Sequence, residues 1–302
     1  MSRERGERLP RFRRAKTRAF VLTPRDRRVV ELVAEYRLLS SNQIVALLDE
    51  GSPQVLIRRL QLLYHARFLD RPRSQIEDLL RAPGSRPMAY ALGRQGAALL
   101  GVKVPKPVKL PFVEHALSVS EILTAFVLSS RKRGDVRVIP FREILEEKAP
   151  AETRRKKLPD TWQVRFPGEG PVGVSPDAIF GLHYLWKPEG GNRAYFFLEV
   201  DRGTMPVMRS HLQETSMWRK LVAYYQTAAA GLQTALFGMK SFRVLTVTKS
   251  PEKHRLASLV EAAGKLPGLQ GIFLFAEERA LLGEDPLEHE WVNGRGEKAT
   301  LS

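Results

Sequence analysis

The stretch "AYFFLEVDRGT" (194–204) runs through apolar and aromatic residues into two acids, Glu199 and Asp201, and is broken by Arg202 and Gly203. Along an extended strand residues two apart point to one face, so both carboxylates lie on the same side. A third acid, Asp177, stands in "PVGVSPDAIFGL" (171–182). Pairing the two stretches as a hairpin centred on residues 188–192 puts Asp177 beside Glu199 or one step away. Asp177, Glu199 and Asp201 are then expected to form one acidic cluster. Carboxylates so close repel unless a cation sits among them, and oxygen-only ligands favour magnesium or manganese. The alternative leaves Asp177 as a turn residue and the two strand-end acids in solvent. Glu114 and Glu121, on a helix upstream, read as surface charge.

The elements that must position these acids alternate between the two periodicities. "FVEHALSVSEILTAFVLSSRKRG" (112–134) predicts a long amphipathic helix, with Val113, Leu117, Ile122, Phe126 and Val127 on or near one side. "DVRVIPFREIL" (135–145), 171–182 and 194–202 predict three strands. "SMWRKLVAYYQTAA" (216–229) is helical, with Trp218, Leu221, Val222 and Tyr225 as its stripe. A strand over 241–250, a helix over 251–265 and a strand over 271–276 follow. Helices and strands in alternation define an α/β class.

Charge separates this part from what precedes it. The chain of 302 residues has 49 Lys and Arg against 33 Asp and Glu, a net +16. Residues 1–110 hold 23 basic and 10 acidic residues, residues 111–302 hold 26 and 23. A basic first third on a nearly neutral remainder points to a polyanion-binding module, with double-stranded DNA as the expected partner. No run of eighteen uninterrupted apolar residues occurs, and apolar residues do not follow the charged N-terminus, so neither a membrane partner nor a secretory signal is expected. The chain has no cysteine, which excludes disulfides and thiolate metal sites and suits a cytoplasmic protein.

Within the basic third, residues 1–20 read as a disordered arm carrying Arg11, Arg13, Arg14, Lys16 and Arg18. Thr23, Pro24 and Asp26 predict a helix start, Ser40 or Ser41 a second, and Ser52 with Pro53 a third. The third helix has an expected apolar face of Val55, Leu56, Leu60, Leu63 and Phe68. Gln54, Arg58, Arg59 and Gln61 lie away from it, available to DNA. "FLDRPR" and "RPMAYALGRQG" predict two short strands around a basic wing with Arg71, Arg73 and Arg86. Residues 21–101 would form this module, 102–111 a linker, 112–281 the α/β domain and 282–302 a polar tail.

The capped third helix with "RRL", the Phe68-Leu69-Asp70-Arg71 strand and Tyr90-Ala91-Leu92 before "GRQG" resemble the winged helix-turn-helix family. That resemblance implies that the third helix enters the major groove. Pro176-Asp177 followed by Glu199-Val200-Asp201 is similar to the PD-(D/E)XK nuclease core, whose order of helix, three strands, helix, strand fits 112–248. It implies two acids holding a metal and a lysine positioning water. Here Asp201 stands where the lysine is expected, and Arg202 is too basic to accept a proton. Some members of that superfamily carry the lysine on the next helix, where Lys220 is the candidate, with Tyr224 one turn on. The two halves together, with "LEVDRGT" and "WRKLVAYY", resemble the replication-relaxation family of mobile-element proteins over about residues 22–260. That implies a DNA-docking accessory to a relaxase or replication initiator. A magnesium- or manganese-dependent endonuclease or nickase using Asp177, Glu199, Asp201 and Lys220, and a winged-helix transcriptional regulator, remain as alternatives.

Overall fold

A computed structural model describes residues 11–15, 20–49, 51–76, 87–105, 109–166, 170–250, 252 and 254–302. The chain divides into two compact units, Met1–Thr124 and Ala125–Ser302.

The first unit starts where the capping signals put it. Helix α1 (Pro24–Glu35) has a capping box: the Thr23 hydroxyl accepts from the Asp26 N–H at 3.2 Å, and Asp26 accepts from the Thr23 N–H at 2.7 Å. Strand β1 (Leu38–Ser40) leads into α2 (Ser41–Leu48), where Ser40 and Gln43 make a second box. Helix α3 (Pro53–His65) follows Ser52, whose hydroxyl bonds the Gln54 side chain at 2.9 Å and not the helix backbone. Strands β2 (Leu69–Asp70) and β3 (Ala89–Leu92) then pair antiparallel, and β3 also pairs with β1, in the order β1-β3-β2. Helix α4 (Arg94–Leu100) follows. Val29, Val33, Leu39, Ile44, Leu60 and Leu63 are fully buried between these elements. Val55 departs from expectation. It lies about 100° round the helix from Leu56, and more than half of it is exposed.

The boundary between the units falls inside helix α5 (Leu110–Arg133), not in a 102–111 linker. One 18-residue window of α5 has mean hydropathy 1.4, a value that core helices share with membrane spans; half of that window is buried within the protein.

The second unit is a mixed α/β structure on one seven-stranded sheet. Strand β4 (Val136–Pro140) is shorter than expected, because "FREIL" begins helix α6 (Phe141–Lys148) after Pro140. Helix α7 (Ala151–Arg155) and a small antiparallel pair, β5 (Trp162–Val164) with β6 (Val172–Val174), come next. The single strand expected over 171–182 is therefore two. The chain breaks at residues 175–177, and β7 (Ala178–Tyr184) joins the main sheet separately. Strand β8 (Arg193–Asp201), helix α8 (Met217–Ala229), β9 (Arg243–Thr248), α10 (Arg255–Gly264) and β10 (Phe273–Glu277) follow the expected alternation, with two short helices, α9 (Leu232–Phe237) and α11 (Glu278–Gly283), in addition. With two further strands, β11 (Trp291–Asn293) and β12 (Lys298–Ala299), the sheet order is β12-β11-β10-β9-β8-β7-β4, with β8, β9 and β10 parallel and the other neighbours antiparallel.

Residues 282–302, expected as a tail, supply β11 (Trp291–Asn293) and β12 (Lys298–Ala299) to that sheet. Trp291 and Leu301 are buried, and the Leu301 carbonyl accepts from the Tyr184 hydroxyl at 2.5 Å. The sheet face of β8 that bears Phe197 packs on Leu221 and Tyr224 of α8, Leu259 of α10 and Phe242. This apolar layer carries Glu199 and Asp201 beyond it on the same face of the strand.

Candidate functional site

The hairpin brings Asp177 to Glu199. Ala178 faces Leu198, the Asp177 N–H donates to the Leu198 carbonyl at 3.0 Å, and the Asp177 carboxylate accepts from the Val200 N–H at 2.8 Å. Helix α8, capped by Ser216, presents Lys220 and Tyr224 four residues apart and therefore on one face. Both reach Glu199: the Lys220 ammonium donates to one carboxylate oxygen and the Tyr224 hydroxyl to the other. Glu199 is buried, and burial pushes its pKa up to about 7; Asp177 adds to the rise, while Lys220 and Tyr224 oppose it. Burial works against the Lys220 ammonium, but the charges of Glu199 and Asp177 outweigh it and hold its pKa above the usual lysine value. Burial and Glu199 raise the Tyr224 phenol well above its ordinary range.

Above this triad is an open cleft of about 180 Å³. Glu199, Lys220 and Tyr224 line it together with Ser175, Thr215 and Arg219. The break between β6 and β7 puts Ser175 there, and the segment between β8 and α8 brings Thr215.

Asp201 is turned elsewhere. Arg255, the first residue of α10, donates to both its oxygens, at 2.8 and 2.9 Å. The Thr248 hydroxyl adds a bond at 3.0 Å and the Gly203 N–H one at 3.1 Å. Asp201 is 3% exposed and Arg255 5%. Gly203 explains the turn after the strand: its φ is +72°, and a Cβ there would come within 2.6 Å of the Ser250 hydroxyl. With Asp201 held by a guanidinium and both Glu199 oxygens bonded within the protein, this donor set does not fit a three-carboxylate metal centre. Among the described residues no group of three or more His, Cys, Asp or Glu side chains converges as a metal site.

Arg255 lies 54 residues beyond Asp201 and no local motif marked it. The one signal was strand β9, whose Thr246 and Thr248 alternate with buried valine and leucine, placing polar atoms beside Glu199 and Asp201 on the sheet.

In the first unit the expected DNA-contacting residues separate into two groups. Arg59 is partly buried and its guanidinium is occupied: it donates to Asp26 at 2.7 and 2.6 Å and to the Val21 carbonyl at 2.6 Å, and it lies over the Phe20 ring. Arg71 is buried, donating to the Arg11 carbonyl at 2.5 Å and the Tyr90 hydroxyl at 3.0 Å and stacking on Tyr64. Arg14 also lies over the Tyr64 ring and pairs with Asp70 at 2.6 Å. With the Ala15 N–H donating to the His65 Nδ1 at 3.0 Å, residues 11–15 form a docked segment where a disordered arm was expected. Gln54, Arg58 and Arg73 are exposed, as are Arg11 and Arg13. Lys16, Arg18 and Arg86 lie outside the described residues.

The family model described as Replication-relaxation matches residues 30–239, which spans most of both units. The chain belongs to the replication-relaxation family. No curated protein and no solved structure matches the chain.

Proposed function

We propose that this protein is a DNA-binding accessory factor of plasmid or mobile-element replication or mobilisation, which docks on duplex DNA and does not cleave it. The first unit acts as a winged helix-turn-helix: helix, strand, two helices and a two-stranded wing base, with Gln54 and Arg58 of α3 on the exposed side. The second unit acts as a nuclease-like core that has lost turnover and offers a surface to a relaxase or replication initiator. The family's description supports the replication context.

The observation that carries the absence of cleavage is Asp201. The PD-(D/E)XK pattern places a lysine there to position water. In this chain the position is an acid, closed off by two hydrogen bonds from Arg255. One observation favours the competing reading of a magnesium- or manganese-dependent endonuclease or nickase: Lys220, from the next helix, does reach Glu199 beside Asp177.

Purified protein incubated with supercoiled, linear and single-stranded DNA, in magnesium and then in manganese, separates the two. Wild type is run beside Glu199→Ala and Lys220→Ala, with binding followed in parallel. Tight binding that weakens steeply with salt, and no cleavage in either metal, is the expected result. Nicking by wild type that disappears in both variants would overturn it.

A further inference from the structure

The exposed side of α3 is not uniformly polar. Val55 is 56% exposed, Ile57 45% and Leu62 37%, while Gln54 and Arg58 lie between them and are exposed as well. At about 100° per residue, Gln54, Arg58, Leu62 and Val55 follow one another round the helix, and Ile57 sits on the far side of Gln54. The apolar residues thus flank a polar strip and do not merge into a stripe. A protein-binding helix buries a contiguous apolar face, which Arg58 would interrupt at its centre. Base edges in a major groove call for the interleaved arrangement: Arg for guanine, Gln for adenine, and an apolar group for the C5-methyl of thymine. Charge favours the same occupant, since residues 1–110 carry 23 basic against 10 acidic residues. Residues 54–62 span about 12 Å of helix axis, roughly three to four base-pair steps.

We propose that α3 reads thymine methyl groups through Val55 and Ile57, which bracket Gln54 and Arg58, so that the target carries thymines next to the bases those two residues contact. Arg59, the neighbouring arginine of "RRL", takes no part, because Asp26 holds it against α1. The inference rests on the reading of the first unit as a duplex-binding module and assigns its specificity. Each methyl buried against Val55 or Ile57 contributes about fourfold in affinity.

The full chain is used to enrich binders from a random duplex library. Each thymine of the enriched core is then replaced by uracil, which lacks only the methyl. At one or two positions wild type should bind the uracil duplex about fourfold more weakly. Val55→Ala or Ile57→Ala should bind both duplexes alike at the matching position. Both side chains are exposed, so the variants are expected to melt as wild type does. Enrichment of a defined sequence with no sensitivity to uracil would overturn this inference and leave DNA docking intact. Failure to bind any duplex would overturn both. Unchanged uracil sensitivity in the variants, with altered sedimentation of the free protein, would overturn it in favour of a protein contact on this face.

Discussion

Asp201 and Glu199 stand two residues apart on one strand, yet their chemistry has diverged because different helices cover them. Arg255 of α10 fixes Asp201 in a buried pair, and removing one partner of such a pair leaves a charge without compensation. Arg255→Ala is therefore expected to lower stability by about 3–5 kcal/mol in urea denaturation. Replacing both residues by apolar side chains of similar volume should recover much of that loss. Glu199 responds to pH instead. Its folded pKa of about 7 lies above the 4.5 of an ordinary glutamate, so the folded state keeps a proton that the unfolded chain has released. Stability should accordingly fall as pH rises from about 4.5 to 7, because there the unfolded state binds fewer protons. In Glu199→Gln the same urea series should lose that slope; an unchanged slope would assign it to another group.

At the scale of elements, the first unit is tied together through its capping residue. Asp26 closes the N-terminus of α1 and at the same time receives Arg59 from α3, so one carboxylate ties the two helices together. Burial opposes its ionisation, but the bonds from Arg59 and Thr23 prevail and hold its pKa below the usual value. The adjacent residues Arg58 and Arg59 consequently have opposite predicted phenotypes. Arg59→Ala should cost about 3 kcal/mol of stability and leave sequence preference on DNA unchanged. Arg58→Ala should weaken and broaden DNA selection while shifting stability by less than about 0.5 kcal/mol. Chemical denaturation and duplex binding measured on the same two preparations check both. Equal losses of stability would show that Arg58 is also structural.

For the whole molecule, two consequences follow from how charge and strands are distributed. On the proposed docking to duplex DNA, affinity should fall log-linearly with salt, with a slope of about −0.9 for each phosphate neutralised, and Arg58→Ala should reduce that slope by about one if it touches a phosphate. An unchanged slope with relaxed sequence preference would place Arg58 on a base edge. Removal of residues 284–302 strips β11 and β12 from the sheet and leaves the edge of β10 unpaired. It also removes Trp291 and the Leu301 carbonyl that Tyr184 and Arg243 bind. The truncated chain is expected to aggregate on expression, where a dispensable tail would leave solubility unchanged.

Several features were legible without coordinates because they rest on contacts local in sequence. Thr23 with Asp26 fixed the start of α1, the apolar run 194–198 marked β8, and the spacing of Lys220 and Tyr224 put both on one helical face. The hairpin partnership of Asp177 and Glu199 was also within reach, since a short connection limits the register. What depends on residues far apart along the chain was not legible. Nothing near Asp201 announces Arg255, nothing in "RRL" says which arginine faces solvent, and the polar composition after residue 282 hides two strands whose burial comes from the sheet edge they complete. The sequence by itself determined the family, the α/β class, the basic first third and the residues able to do chemistry. Only the tertiary structure decided which charges neutralise one another, because pairing energy depends on distance and burial, and both are set by how the helices pack on the sheet.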